Sequence, residues 1–167
     1  MKKALINYIK KEKLDDCYTP AYAIKPLLKY IPKGITVWEC CDFGGSEITR
    51  VLKEHGCKVI STGQKENFFE YIPKEHFDMI ITNPPYSLKD EFIKKCYEWK
   101  KRFCLLLPIT ALEGKVRGKM FRENGIGILV FDGRVEFLSN KKGNWFNTSW
   151  FCYNVLPKEL IFHELKK

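Results

Sequence analysis

"FDMIITNPPYSLKDEF", Phe77 to Phe92, is the stretch on which the fold turns. It carries an apolar run, Met79 to Ile81, that reads as a strand in the interior of a sheet. The run stops at Asn83. Pro84 and Pro85 then remove two backbone donors and hold the residue before them in extended conformation, so the ladder cannot continue. Tyr86 follows. From Leu88 onward, the spacing of Phe92, Ile93, Cys96 and Tyr97 puts apolar side chains on one face of a helix. Strand, rigid polar turn and helix together make the repeating unit of an α/β fold.

The same unit recurs on either side. "ITVWECCDFGGSEITRVLKEHG" reads as a strand over Ile35–Glu39, a glycine turn, and a helix over about Glu47–His55 that Gly56 stops. "CKVIST" is the next strand. Downstream, "FCLLLP" is a continuous apolar strand of the doubly covered type, "GILVF" is similar, and "WFCYNV" is a final strand. Toward the N-terminus, Ala4–Lys13 has the apolar spacing of a short helix. "CYTPAYAIKPLLKYIPKG" gives another from about 20 to 30, with Thr19 as cap, Pro20 in its first turn, a bend near Pro26 and a stop at Gly34. The expected fold is three-layer and Rossmann-like, with a mostly parallel sheet, as one domain over 1–167 whose first 33 residues are a helical segment. Ligands of such sheets bind beyond the carboxyl ends of the strands. Asn83 and the Glu39–Ser46 loop both lie at such ends.

Composition narrows the class. The chain has 167 residues, 45% of them hydrophobic, and a net charge of +9. No apolar run approaches the roughly 18 residues of a membrane span, and the basic start lacks the apolar core of a secretory signal, so a cytoplasmic protein without membrane attachment is expected. The seven cysteines include no C-x-x-C pair, and the histidines are scattered, so no metal site is expected and the thiols read as small buried hydrophobes. The excess of Lys and Arg favours a polyanionic partner, nucleic acid first.

Each of the two loops has its own chemistry. In "WECCDFGGSEI" an acid ends a strand, glycines allow close backbone approach, and a helix begins; the spacing is neither a phosphate loop nor a full G-x-G-x-x-G. In "NPPY" the Asn83 side-chain oxygen and a backbone carbonyl held by Pro84 and Pro85 can accept both hydrogens of an –NH2 group. That aims the nitrogen lone pair away from the clamp. Tyr86 can stack on the planar group that bears the amine. Such a site suits attack by a weakly basic aromatic or amide nitrogen, driven by orientation and electrostatics.

On these residues the sequence resembles the S-adenosylmethionine-dependent amino-methyltransferases of the Asn-Pro-Pro-Tyr type, chiefly the N6-adenine enzymes, and most of all small phage-type members without a separate target-recognition domain. The resemblance covers about residues 17 to 153 and implies a class I methyltransferase fold with S-adenosylmethionine as cofactor. It implies that Asn83, Pro84, Pro85 and Tyr86 form the catalytic clamp, with Asn83 also beside the cofactor. Tyr18, Thr19 and Pro20 match a segment that packs beside the cofactor. Glu39 matches the acid and Gly45 the second glycine of the E-x-x-x-G-x-G loop, with Phe43 in place of the first glycine. In the alternative register Asp42 is the acid and Gly44 and Gly45 the loop. The family's second strand ends in an acid for the ribose hydroxyls; here Gly63 stands at that place, and Gln64 or Thr62 is the substitute the sequence offers. Asn67 and Phe68 match residues that contact the cofactor adenine. Trp145 and Phe146 match aromatics that pack on the extruded base.

The expected activity is N6-adenine methylation of nucleic acid, DNA favoured over RNA. Protein glutamine amides are methylated through the same motif and form the second reading. The third is a catalytically silent nucleic-acid-binding or partner subunit, which Gly63 and Phe43 favour and the complete Asn83–Tyr86 motif disfavours. So short a chain leaves little room for reading sequence, which points to low specificity, a structured RNA, or a second subunit, whether another copy or a different partner.

Overall fold

A computed structural model describes residues 18–63, 66–137 and 147–167; the helix expected over Ala4–Lys13 and the residues Gln64, Trp145 and Phe146 lie outside these. The strands are β1 (Thr36–Asp42), β2 (Lys58–Gly63), β3 (Met79–Thr82), β4 (Arg102–Pro108), β5 (Gly127–Phe131), β6 (Thr148–Tyr153) and β7 (Leu160–His163). The helices are α1 (Ala21–Leu28), α2 (Glu47–His55), α3 (Lys89–Glu98) and α4 (Lys115–Asn124). The strands form one seven-stranded sheet in the order β2-β1-β3-β4-β6-β5-β7. Every pairing is parallel except those of β6, which runs against both neighbours, β4 and β5.

The alternation of side chains along the central strands makes the three layers. Met79, Ile81, Cys104 and Leu106 point to one face and pack with Ile24 and Leu27 of α1 and Val51 and Leu52 of α2. Ile80, Phe103, Leu105 and Leu107 point to the other and pack with Phe92, Ile93 and Cys96 of α3. With both faces covered, a strand has no polar side to show, which is why "FCLLLP" reads as unbroken apolar sequence. Trp150 on β6 ties α1 to the sheet, its indole N–H donating to the Ala23 carbonyl at 2.7 Å.

The sheet departs from the sequence expectation in four places. First, β1 does not end at Glu39. A bulge between Glu39 and Asp42 carries its pairing on until Asp42 meets Gly63. Second, Pro20 and not Thr19 occupies the N-cap of α1, without a side-chain cap bond, and the Thr19 hydroxyl is buried without a partner. Third, α4 was not anticipated: it buries none of its residues completely, so its sequence shows no apolar stripe. Fourth, β7 is only four residues long, and its Leu160 and Phe162 face out, so no strand signal stands clear of its polar surroundings.

The bulge explains Gly63. A Cβ built there would stand 2.9 Å from the Asp42 nitrogen and 3.1 Å from its carbonyl oxygen, and φ is +140°. Backbone meets backbone, so neither side can yield. Gly63→Ala is expected to cost at least about 1–3 kcal/mol in urea unfolding. A loss below about 0.5 kcal/mol, the range of an ordinary surface change, would show that the bulge does not pack as described.

Candidate active site

The loop after Glu39 is organised by Asp42. Its Oδ1 accepts from the Gly44 N–H at 2.9 Å and the Ser46 N–H at 3.2 Å. Its Oδ2 accepts from the Thr49 hydroxyl at 2.8 Å and the Ser61 hydroxyl at 2.6 Å. Burial alone would raise this carboxyl, but the donors from Ser61, Gly44, Thr49 and Ser46 outweigh it and hold it below the ordinary aspartate value. Both oxygens are thus engaged within the protein. Gly44 and Gly45 lie exposed at φ +110° and +75°, a conformation that costs glycine little, and Ser46 caps α2.

Glu39 is different. Its Oε1 accepts from the Cys41 N–H at 2.9 Å and from the Thr82 hydroxyl at 2.5 Å, while Oε2 is buried and has no partner. Burial pushes the carboxyl up to about 8, against the hydrogen bonds from Thr82 and Cys41, with the nearby Asp42 charge adding to the rise. As a neutral acid it presents an O–H without an acceptor; ionised, it presents a buried unpaired charge. Both states are costly, and a cationic donor placed against Oε2 relieves them.

Thr82 is the last residue of β3, so the Glu39 hydrogen bond ties the glycine loop to the start of "NPPY". Asn83 is half-buried, and Pro84 and Pro85 are buried. Tyr86 opens a 3-10 turn, Tyr86–Leu88, that leads into α3. Its ring is half-buried against the α3-side core and its hydroxyl is enclosed, so it is less open than the stacking role alone suggests. Beyond the turn, Asp90 pairs with Arg117, whose guanidinium also donates to the Ala111 carbonyl at 2.7 Å, bracing the segment after β4 against α3.

At the end of β2, Thr62 is buried and its hydroxyl oxygen accepts from the Trp38 indole N–H at 2.8 Å. The carboxylate that reaches this strand end belongs to Glu66, whose Oε2 accepts from the Gly63 N–H at 3.4 Å. Sequence reasoning passed over Glu66 because it looked for an acid within the strand; the available signal was an acid three residues after the glycine that ends it. Asn67 caps the following turn, its Oδ1 accepting from the Phe69 N–H at 3.1 Å. Phe68 is buried, stacked on Phe92 at 4.6 Å, so its ring belongs to the core. Tyr18 is exposed, while Thr19 and Pro20 are buried ahead of α1. Thr148, at the start of β6 opposite Pro108, adds one more buried hydroxyl without a partner at this end of the sheet. Asp42, Gly44, Gly45, Glu66, Asn67 and Asn83 therefore lie at or beyond the carboxyl ends of β1, β2 and β3, and Glu39, within β1, stands against the last residue of β3.

No family model and no curated protein matches the sequence. Solved structures do match in fold. The methyltransferase subunit of a type I restriction-modification system from Streptococcus thermophilus superimposes with a TM-score of 0.55 at 14% identity, over 89% of this chain and 47% of its own. A protein described as the modification subunit of a type I restriction enzyme from Vibrio vulnificus gives 0.58 at 13%, over 99% and 51%. A SAM-dependent O-methyltransferase from Thermotoga maritima gives 0.53 at 14%, over 93% and 72%. The chain spans about half the length of the two type I subunits. At these identities the likeness is one of fold, and the fold is that of the methyltransferases.

The raised Glu39 value has a measurable consequence. Between the ordinary glutamate value and about 8 the folded chain holds a proton that the unfolded chain has released, so this group makes stability fall as pH rises through that window and level off above it. Glu39→Gln keeps an acceptor for Thr82 and Cys41 but cannot titrate. Relative to the variant, the parent is expected to lose stability from about pH 5 to 8. Parallel stability curves for the two proteins over that range would contradict the buried, raised carboxyl.

Proposed function

We propose that this chain is an S-adenosylmethionine-dependent amino-methyltransferase that acts on adenine N6 in nucleic acid, DNA favoured over RNA. The observation that carries the reading is the Glu39–Thr82 hydrogen bond at 2.5 Å, which joins an acid with a buried, unpartnered oxygen to the Asn83–Tyr86 turn. The residues present fit the cofactor. Glu39 Oε2 would take its ammonium group, the Gly44–Gly45 turn its close backbone approach, Glu66 its ribose hydroxyls and the Asn67 amide its adenine edge. When bound, the cofactor supplies the methyl group as an electrophile.

The chain's own part is to hold the target amine. Asn83 Oδ1 and a carbonyl of the proline turn accept its two hydrogens, so the lone pair points toward the cofactor site, and Tyr86 supports the ring. A base inside a duplex has to be flipped out to reach Asn83, at a cost of a few kcal/mol, which aromatic stacking offsets at roughly 1–3 kcal/mol per base. The +9 charge supports a phosphate-bearing partner over a protein amide. Two proteins of this fold are modification subunits of restriction systems, in keeping with that target.

The test is transfer of tritium from labelled cofactor into separate DNA, RNA and protein pools, followed by digestion to the modified nucleoside. Label in N6-methyladenine is expected; label in glutamine alone transfers the reading to a protein substrate. Asn83→Ala should lower turnover about a hundredfold, since misplacing a reactant by about 1 Å costs that much, while cofactor affinity holds. Turnover within about threefold of the parent, only about 0.7 kcal/mol in barrier, would reduce the motif to a turn. Nucleic-acid affinity should fall steeply between about 50 and 200 mM salt; a flat plot there argues against phosphate contacts.

A further inference from the structure

β7 closes one end of the sheet, and among the described residues no strand pairs with its outer edge. Its inner edge is taken. The carbonyls of Glu159 and His163 accept from the N–H groups of Ile128 and Asp132 at 2.7 and 3.2 Å, and the Leu165 N–H donates to Asp132 Oδ1 at 2.8 Å. Odd-numbered residues therefore turn their backbone groups toward β5. Successive residues alternate, so Leu160 and Phe162 direct theirs outward. The same two residues expose their side chains on one face of β7, at 52% and 71%. An open edge flanked by exposed apolar groups is a template for a further strand.

We infer that this edge pairs antiparallel with the same edge of a second copy of the chain, with Ile161 on the two-fold axis. Parity limits the register and chemistry selects it. Hydrogen-bonded partners must both carry outward groups, so even-numbered residues face even-numbered ones and the axis passes through a residue. Centred on Ile161, Leu160 faces the partner's Phe162, Ile161 meets its own copy, and Glu159 faces the partner's His163. Lys158 then lies at the same end as the partner's Glu164. Centred on Leu160, Lys158 would face the partner's Phe162. Centred on Phe162, Leu160 would face the partner's Glu164 and Lys158 the partner's Lys166. Only the Ile161 register sets apolar against apolar and acid against base, the pairings that stabilise a sheet. Glu164 already holds Lys166 at 3.1 Å, an exposed pair of little weight.

A second copy is the occupant that this self-complementarity fits; a foreign strand has no need of it. The axis stands normal to the sheet, so the α3 and α4 layer of both copies lies on one side and the two candidate sites open at opposite edges of the joined sheet. With only four residues in β7, the ladder is short, and the dimer belongs with the small, concentration-dependent interfaces.

The test is the mass of the full chain by sedimentation across a concentration series, with three variants. The parent should move from monomer to dimer as concentration rises, and Phe162→Lys should remain a monomer with an unchanged circular dichroism spectrum. Under mild oxidation Ile161→Cys should form a linked dimer, because opposed residues at a non-hydrogen-bonded pair have Cα atoms about 4.5 Å apart, within disulfide reach. Phe162→Cys should not, since it meets its own copy only across a diagonal of about 7–8 Å. The parent, treated alike, controls for the native thiols. A parent that stays monomeric, a dimer indifferent to Phe162→Lys, or equal linking at both positions would overturn the inference. So would a monomeric parent that Phe162→Lys destabilises, since a segment of the same chain would then cover the edge. Should Phe162→Lys fail to fold, the contrast between the two cysteine variants decides.

Discussion

One buried carboxyl organises this end of the sheet. Glu39 is almost fully enclosed, accepts from the Thr82 hydroxyl and the Cys41 N–H through one oxygen, and leaves the other without a partner. A polar atom buried without a partner costs free energy that the rest of the fold must offset. Proteins retain such atoms where a ligand completes them, and strain of this kind gathers at functional sites. Thr82 ends β3, so the same contact fixes where Asn83 begins. The glycine loop and the proline turn are in this way one structure.

Asp42 and Gly63 support that contact from beneath. Asp42 uses both oxygens to shape the loop, accepting from Gly44, Ser46, Thr49 and Ser61. Gly63 lets β2 approach the Asp42 backbone more closely than any side chain allows. A side chain in place of Gly63 has no room here, and Glu66 brings a carboxylate to the same strand end from the following turn.

Much of this was legible in the sequence, for definite reasons. The turn at Asn83 declares itself because two prolines end an apolar run, and α2 declares itself because Ser46 caps it and Gly56, at φ +100°, closes it. The doubly covered strands are legible because layers on both sides leave no polar alternation. What stayed hidden depends on contacts between distant segments. Only the fold shows that both oxygens of Asp42 are engaged while one of Glu39 is not, that Trp38 donates to Thr62, and that Phe68 belongs to the core. The helix α4 and the strand β7 were missed because neither buries a full apolar face, and hydrophobic period is the signal by which elements are read.

The account rests on Glu39 as the anchor for the cofactor's ammonium group, and proton release on binding tests that most directly. With a carboxyl pushed up to about 8, most of the protein is protonated there at pH 7. Setting a cation against Oε2 must drive the proton off. Titration calorimetry with S-adenosylhomocysteine at pH 7, in buffers of different ionisation enthalpy, should report close to one proton released per molecule bound. Binding without release, or release that persists undiminished in Glu39→Gln, would contradict the account.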